Sequence, residues 1–292
     1  MGTILLLGGS GILGSEVLRL LHAENLEYVA PTSSDLDIRN KESLIQCVSE
    51  LKPEWIINCA AWTNVDGAES NYDEARQLNE KAVENLGIAA DLFECQVIHI
   101  STDYVFDGES SEPYQEISQV HPLNKYGESK LLGEKVLLER LPSAYVVRTS
   151  WLYGTSGKNF VKTIAAKALR GEDANVVIDQ IGSPTSARDL AEGIFSIIKN
   201  RPEPGIYNFS NRGSCSWFEL AQKIYEIAGT DKEKVHPISS ASLSFIAKRP
   251  KYSLLSKEKW MSSGLNEVLH WEVSLQQMLP KIVAELKQLG EI

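Results

Sequence analysis

The chain has 292 residues, 43% of them hydrophobic and 23% charged, which is enough for one large domain or two smaller ones with a buried core and argues against extensive disorder. A formal net charge of -10, without a run of Lys or Arg, argues against binding to nucleic acid or to an anionic membrane. The four cysteines lie far apart and form no CxxC pair, which argues against a zinc site or a disulfide framework and suits a reduced cytoplasm.

The first half of the chain alternates short apolar runs with longer amphipathic segments. The opening run, MGTILLLGGSG, has no basic leader and is too short to cross a membrane, so it predicts a buried strand. Later runs such as EWIINCAA and CQVIHIS are continuously apolar, as strands buried on both faces should be. This βαβ rhythm predicts an α/β fold, a Rossmann-type doubly wound parallel sheet.

After about Trp151 the pattern changes to helices mixed with isolated strands that Pro and Gly separate. We predict a dinucleotide-binding domain over residues 1–150, to which the chain returns at roughly 186–210. Residues 151–292 are predicted to form a smaller, mainly substrate-binding α/β domain. A ligand is expected in a cleft between the two, at the carboxyl ends of the strands.

A glycine-rich turn follows the first predicted strand. In LLLGGSGILGSEVL, Gly8, Gly11 and Gly14 give GxxGxxG, while Gly9, Gly11 and Gly14 give GxGxxG. Glycines at this spacing permit a tight turn, close approach of the main chain to a pyrophosphate, and close packing of helix on strand. The position at the first strand–helix junction favours a dinucleotide site over a purely structural turn, and the lack of GK[ST] disfavours a P-loop.

The end of the second predicted strand bears on which dinucleotide binds. Thr32, Ser33 and Ser34 stand where an acid would bind a ribose 2′-hydroxyl, and Asp35 and Asp37 come slightly later. The missing acid leaves room for a 2′-phosphate, although no arginine is adjacent to bind it. We therefore favour NADPH as the cofactor, with NADH as the alternative.

A tyrosine and a lysine share one face of a predicted helix. Of the ten tyrosines, only Tyr126 has a lysine, Lys130, four positions later. A free tyrosine, with a pKa of about 10, is a poor proton donor at neutral pH, and a nearby ammonium would lower that pKa. Upstream, an apolar run ends in Ser101 and Thr102, where a hydroxyl could bind a carbonyl. A stray surface pair and a Ser/Thr turn cap are the structural alternatives.

These motifs together resemble a known family. GGSGILG, STDYVFDG and YGESK resemble the extended short-chain dehydrogenase/reductase superfamily. More narrowly, NCAAWTNVDGAES, STDYVFDG, PLNKYGESKLLGE, RTSWLYG, NF and DQIGSPT, in this order across nearly the whole chain, are similar to the dTDP-4-dehydrorhamnose reductase family. The resemblance implies a Rossmann domain with a smaller substrate domain, and reduction of the 4-keto group of a dTDP-linked 6-deoxyhexose by hydride from a nicotinamide.

The resemblance also implies a set of site residues. Thr102 would bind the keto oxygen, Tyr126 would protonate it, and Lys130 would hold the nicotinamide ribose and lower the tyrosine pKa. The residues implied near the cofactor are Gly8, Ser10, Gly11, Ile12, Leu13, Asp37, Ile38, Ala60, Ala61, Tyr126 and Lys130. Those implied near the substrate are Val65, Thr102, Asp103, Tyr104, Tyr126, Trp151 and Arg249, the last facing the diphosphate. No metal is predicted.

Other functions stay open at this point. Dehydratases of the superfamily resemble STDEVYG, whereas Tyr104 follows Asp103 here, and losing the glutamate removes the base that elimination needs. The alternatives are a reductase or epimerase of another nucleotide-linked ketosugar, and a non-catalytic regulatory subunit similar to that of methionine adenosyltransferase. We expect a cytoplasmic protein that binds a dTDP-linked 4-keto-6-deoxyhexose and no nucleic acid or membrane, and leave a homodimer open.

Overall fold

The central feature of the computed structural model, which describes residues 2–292, is a six-stranded sheet whose strands all run parallel. In spatial order the strands are β2 (Tyr28–Val29), β1 (Ile4–Leu7), β3 (Trp55–Asn58), β4 (Gln96–Thr102), β5 (Tyr145–Thr149) and β10 (Gly205–Asn208). From β1 the chain moves to β2 on one side and then to β3 on the other. This reversal opens a crevice at the carboxyl ends of the strands, where open α/β sheets bind ligands.

Helices cover both faces of the sheet. One face carries α1 (Ile12–Ala23) and α8 (Ala187–Asn200), and the other carries α2 (Lys41–Leu51), α5 (Ala82–Leu92) and α6 (Lys125–Arg140). Alternate residues of β1 pack into the two different cores, so the strand is apolar at every position. The predicted Rossmann-type doubly wound parallel sheet is therefore confirmed. Within residues 2–292, every helix is too short or too polar to reach across a lipid bilayer.

Short helices connect β3 to α5. They are α3 (Val65–Ser70), α4 (Tyr72–Arg76) and a π-helical segment, Gln77–Lys81, that runs directly into α5. Asn64 is the N-cap residue of α3, and its side chain accepts a hydrogen bond from the Gly67 amide at 2.9 Å. This connection follows the carboxyl end of β3 and so lies beside the crevice.

The second half of the chain contains three small two-stranded sheets. They pair β6 (Leu152–Tyr153) with β9 (Thr185–Ser186), β7 (Ala174–Val177) with β12 (Val235–Ile238), and β8 (Ile181–Gly182) with β11 (Cys215–Ser216). The helices there, besides α8, are α7 (Phe160–Leu169), α9 (Trp217–Ile227), α10 (Glu258–Ser262) and α11 (Trp271–Gln288). An apolar core of its own joins α7, α9 and α11.

The chain returns to the first sheet through α8 and β10. Strand β10 pairs with β5, and α8 packs against α1. Trp260 of α10 is also buried in the core that α1 and α8 form. The division into a domain over residues 1–150 and a mainly substrate-binding domain over residues 151–292 stays a prediction.

Candidate active site

A cavity of about 540 Å³ lies at the carboxyl ends of the parallel strands. Its wall combines the start of α1, the segments after β3, β4 and β5, and the first turns of α6. Of the residues predicted from the sequence, the wall contains Gly11, Ile12, Leu13, Ala61, Val65, Thr102, Asp103, Tyr104, Tyr126, Lys130 and Trp151. Motifs far apart in the sequence therefore meet in one cavity.

The glycine turn shows which of the two registers the fold requires. Gly8 has φ +78°, and a Cβ there would lie 2.6 Å from the Ala60 amide nitrogen. A Cβ on Gly14 would overlap the Gly8 carbonyl oxygen, whereas one on Gly9 would meet only side chains, those of Leu18 and Leu6, no closer than 3.1 Å. The GxxGxxG register is thus the one that the fold requires.

The same turn suits an anionic ligand. Gly11 is the N-cap residue of α1 and has no side chain with which to cap the helix, and the first turn of α1 has no acidic residue. The first amide groups of α1 therefore point toward the cavity without a side-chain partner from the cap. This arrangement fits the diphosphate of a dinucleotide.

Two predicted cofactor residues lie away from the cavity. Asp37 forms an ion pair with Arg39, with 2.7 Å between carboxylate oxygen and guanidinium nitrogen, and both side chains are exposed. Ile38 is buried in the core beneath α2 and α5. The structure therefore does not bring Asp37 and Ile38 to this cavity, because an ion pair and core packing occupy their side chains. Gly8, Ser10 and Ala60 are not wall residues themselves but are chain neighbours of the wall residues Gly11 and Ala61 in the same turns.

Helix α6 brings Tyr126 to the end of β4. The Asn124 side chain caps the helix by accepting a hydrogen bond from the Gly127 amide at 2.8 Å. A Cβ on Gly127 would overlap the Tyr104 carbonyl oxygen, so only glycine allows the helix to lie against the 3₁₀ turn Asp103–Val105. The Tyr104 and Tyr126 rings consequently meet edge to face, with centroids 5.7 Å apart.

The protonation of Tyr126 differs from the sequence-based expectation. Burial raises the pKa of Tyr126 to about 12, the Thr102 hydroxyl only partly opposes this rise, and Asp103 adds to it. Lys130 was expected to lower this pKa, but its Nζ donates a hydrogen bond to the Ile100 carbonyl oxygen at 2.7 Å. The expected lowering is therefore not met, and the phenol keeps its proton at neutral pH.

A buried asparagine holds the loop after β3 against α6. Asn79 lies in the π-helical segment and is fully buried. Its side chain accepts from the Trp62 amide at 2.8 Å and donates to the Ser129 hydroxyl at 2.9 Å. A Cβ on Gly133 would overlap the Asn79 carbonyl oxygen, so glycine again permits the close contact. The loop that carries Ala61 is thereby fixed relative to Tyr126.

Two stacked tryptophans, one after β5 and one at the start of α9, form another part of the cavity wall. The rings of Trp151 and Trp217 are 3.6 Å apart and nearly parallel, and Phe160 packs on Trp217 at 4.5 Å. A Cβ on Gly182 would lie 2.7 Å from the Trp151 ring. Sequence reasoning missed Trp217, because the Ser216–Glu219 capping box that includes it marks only the start of a helix. Flat apolar rings of this kind suit a sugar or a base.

The loop after β6 and the first residue of α7 supply further wall residues that sequence reasoning did not assign. These are Gly157, Lys158, Asn159 and Phe160. The only sequence signal for them was the NF pair, residues 159 and 160, within the family resemblance. Asn159 caps α7 by accepting a hydrogen bond from the Lys162 amide at 3.0 Å, so its side chain also serves the fold.

Arg249 lies outside the cavity wall and already has an anionic partner. Its guanidinium is 2.7 Å from the Asp66 carboxylate and lies 3.7 Å from the centre of the Phe245 ring. This hydrogen-bonded pairing lowers the pKa of Asp66. A diphosphate would have to compete with Asp66 for this arginine, and the predicted role of Arg249 stays a prediction.

Asp103 is a buried carboxyl group in the wall. Burial raises the pKa of Asp103 to about 7, although hydrogen bonds with Ser253 and Thr102 oppose the rise. The unfolded chain has a pKa near 4 at this residue. Between about pH 4 and pH 7 the folded state therefore binds more protons than the unfolded state, and stability falls as the pH rises through this range.

We expect Asp103→Asn to remove this part of the pH dependence, because an amide does not ionise. The free energy of unfolding in urea should fall more between about pH 5 and pH 8 for the wild type than for the variant. Comparing the two proteins cancels the contributions of the other carboxyl groups. Equal changes in both proteins would contradict a raised pKa for Asp103.

Comparisons with a family model and with related proteins agree on one family. A family model described as RmlD substrate binding domain matches residues 2–284. A probable dTDP-4,6-dihydroxy-2-methyloxan-3-one 4-ketoreductase of Streptomyces antibioticus is 37% identical over 96% of this chain and 95% of that protein. A dTDP-4-dehydrorhamnose reductase of Streptomyces griseus is 35% identical over 95% of this chain and 93% of that protein.

Solved structures agree with this comparison. The dTDP-4-dehydrorhamnose reductase of Bacillus anthracis, in complex with NADP, matches with a TM-score of 0.92 and 38% identity, covering 96% of this chain and all of that one. The reductase of Clostridium acetobutylicum gives the same TM-score and identity. The family resemblance seen in the motifs is thus confirmed over the whole fold, and the chain belongs to the RmlD substrate binding domain family.

Proposed function

We propose that this chain is an NADPH-dependent reductase that converts the 4-keto group of dTDP-4-dehydro-L-rhamnose into the alcohol of dTDP-L-rhamnose. The observation that carries this proposal is that Thr102, Tyr126 and Lys130 meet in one cavity with the glycine turn of α1. The NADP in the B. anthracis relative favours NADPH, and NADH is the alternative cofactor.

The residues of the cavity supply binding and proton transfer. A nicotinamide cofactor bound at the glycine turn would provide the hydride. The Thr102 hydroxyl donates to the Asp103 carboxyl group at 3.1 Å, and it would turn from there to the keto oxygen of the substrate. The neutral phenol of Tyr126 then gives its proton to that oxygen as negative charge develops.

A second substrate is favoured by a specific observation. Two relatives similar to this chain are named for other sugars, the S. antibioticus protein above and a dTDP-4-keto-6-deoxy-D-glucose reductase of Streptomyces niveus that is 35% identical over 96% of this chain. The chain is therefore also a candidate for reduction of another dTDP-linked 4-keto-6-deoxyhexose. The stacked tryptophans and the loop after β6 are the parts of the wall most suited to distinguish such sugars.

An absorbance assay at the reduced-nicotinamide band distinguishes these functions. It supplies dTDP-4-dehydro-L-rhamnose or dTDP-4-keto-6-deoxy-D-glucose with NADPH or NADH. Oxidation of NADPH with the first sugar is the expected result. Oxidation with the second sugar alone would support the second substrate, and turnover only with UDP- or GDP-linked sugars would overturn the dTDP assignment. Cofactor binding without any turnover would favour a non-catalytic regulatory subunit.

Two alanine variants test the glycine turn as the diphosphate site. In Gly14→Ala the new methyl group would overlap the Gly8 carbonyl oxygen, so the protein should lose stability. In Gly11→Ala the methyl group would meet only that oxygen, at 3.4 Å, so the fold should persist while a ligand is kept away from the helix. We expect Gly11→Ala to weaken NADPH binding about tenfold or more with little change in melting temperature. Wild-type affinity in Gly11→Ala would place the diphosphate elsewhere.

A further inference from the structure

Trp151 has an unusual backbone conformation for a residue of the cavity wall. Within residues 2–292, five residues other than glycine have a positive φ, and Trp151, at +48°, is one of them. The other four, Asn25, Lys52, Glu94 and Arg201, each lie one or two residues after the end of a helix, where left-handed residues are common. Trp151 instead follows strand β5. For a bulky side chain this conformation is unfavourable, and it persists only where the surrounding structure imposes it.

The main chain on both sides of Trp151 is anchored to the segment 181–186. The Ser150 hydroxyl donates a hydrogen bond to the Ser183 carbonyl oxygen at 2.8 Å. The Thr185 amide donates to the Trp151 carbonyl oxygen at 3.2 Å. The next two residues form β6, which pairs with β9. These contacts fix the backbone before and after Trp151, and so fix the direction in which its side chain leaves the chain.

The indole ring of Trp151 is held by groups from the same region. One of its faces stacks on Trp217 with 3.6 Å between ring centres, and Phe160 packs on Trp217 in turn. At the edge of the ring, a Cβ on Gly182 would lie 2.7–2.9 Å from the atoms Cε2, Cζ2 and Nε1, so only glycine fits there. Strand pairing sets Gly182 opposite Cys215, two residues before Trp217. One short sheet therefore brings both contacts to the ring.

The ends of neighbouring strands place Trp151 beside the proposed reaction centre. Thr102 and Thr149 are register partners where β4 and β5 end, and Trp151 follows Thr149 by two residues. All three residues line the cavity. Because Thr102 is the proposed partner of the keto oxygen, we expect the ring beside the sugar, and not beside the base on the far side of the diphosphate. A flat apolar surface suits the C–H groups and the methyl group of a 6-deoxyhexose.

We propose that Trp217 and Gly182 are positioning residues that hold the Trp151 ring against the sugar, so that affinity for the substrate depends on them through Trp151. Contacts from two distant segments compensate the unfavourable backbone of Trp151, and the ring is in place before a ligand binds. The sugar as the ligand of this ring rests on the proposed reductase function. The positioning of the ring does not.

Crystal structures of ligand-free Trp217→Ala and Trp217→Phe test the positioning. We expect the Trp151 ring to leave its present position in Trp217→Ala, because the group that covers one of its faces is gone. In Trp217→Phe it should stay, because phenylalanine keeps a flat ring in contact. A Trp151 ring that does not move in Trp217→Ala would overturn the proposal, whatever reaction the protein catalyses.

Steady-state kinetics with dTDP-4-dehydro-L-rhamnose and NADPH test the consequence for affinity. We expect Trp217→Ala to raise KM about tenfold with kcat nearly unchanged, and Trp217→Phe to stay within about threefold of the wild type. Because Trp217 acts through Trp151, adding Trp217→Ala to Trp151→Ala should change KM by less than about twofold. Additive effects of the two substitutions would show that Trp217 binds the substrate itself and would overturn its positioning role.

Gly182→Ala is an independent variant, which also decides if Trp217→Ala does not fold. Its methyl group would displace the Trp151 ring while every aromatic residue remains. We expect it to raise KM in the wild-type background and to have little effect in the Trp151→Ala background. A Gly182→Ala protein with wild-type KM would overturn the role of Gly182.

Inhibition by dTDP, which has the base and the diphosphate but no sugar, separates the two parts of the ligand. Its inhibition constant should stay within about twofold of the wild type in Trp217→Ala. A loss for dTDP equal to the rise in KM would assign the ring to the base and overturn the proposal. If the wild type turned over no nucleotide sugar, the proposed function would fail alone, because the crystal structures would still decide the positioning of Trp151.

Discussion

Replacing Tyr126 with phenylalanine is expected to lower kcat by a factor of about 10²–10⁴ while leaving NADPH binding nearly unchanged. The change removes only the phenol oxygen and its proton. Because the pKa of Tyr126 is raised to about 12, this oxygen carries a proton throughout the neutral range and is the group placed to donate it. The edge-to-face contact with Tyr104 does not involve the lost hydroxyl and should persist.

Steady-state turnover of dTDP-4-dehydro-L-rhamnose, together with NADPH binding followed by fluorescence, measures this effect. Tyr104→Phe is a matched control, because it removes a hydroxyl from the same cavity wall without removing the proposed proton donor. The Tyr104→Phe substitution should raise KM and leave kcat nearly unchanged. If Tyr104→Phe lost most of its kcat and Tyr126→Phe retained it, the proton donor would be Tyr104 and not Tyr126.

Glu134→Leu is expected to lower the free energy of unfolding by about 3–5 kcal/mol, because it removes one partner of a buried ion pair. Only 3% of the Arg148 side chain and 2% of the Glu134 side chain are exposed. The guanidinium donates three hydrogen bonds to the carboxylate, at 2.7, 2.9 and 3.2 Å, and Ser101 donates a fourth. Without Glu134 the arginine charge would stay buried and uncompensated.

Urea unfolding with two controls measures this loss. The double variant Glu134→Leu/Arg148→Met should regain most of it, since apolar side chains often replace a buried ion pair at little cost. Glu192→Ala breaks an exposed i,i+4 pair with Arg188 and should change stability by about 0.5 kcal/mol or less. A Glu134→Leu protein within about 1 kcal/mol of the wild type would show that Arg148 finds other compensation.

The parts of the fold that the sequence predicts correctly depend on patterns within a few residues of one another. The apolar runs of β1 and β3 indicate strands buried on both faces, and the structure buries every residue of both. The glycine spacing indicates the strand–helix turn, although only the structure separates its two registers. Tyr126 and Lys130 are four residues apart on one helix, so their shared face follows from helix geometry alone.

The features that the sequence does not predict depend on contacts between distant segments. The stack of Trp217 on Trp151 requires β8 and α9 to pack against the end of β5. No pattern within a few residues of either tryptophan indicates this contact. The same holds for Asn79, whose π-helical setting joins the loop after β3 to α6. The raised pKa of Tyr126 comes from partial burial by segments that are distant in sequence, which a motif cannot specify. The ion pair of Asp37 with Arg39 is likewise not indicated by the motif, and the role of Asp37 at the cofactor stays a prediction.

Helix α6 owes its position to main-chain contacts at Gly127 and Gly133, where the neighbouring backbone leaves no room for any side chain. The position of Tyr126, the proposed proton donor, therefore depends on main-chain atoms, which every amino acid has. Mutations elsewhere in the wall, at the aromatic residues or the loop after β6, can change the proposed sugar pocket during divergence without moving Tyr126. Because the residues that position Tyr126 differ from those that line the rest of the wall, one ancestral fold would give rise to enzymes for many deoxysugars while the chemistry of reduction stays the same.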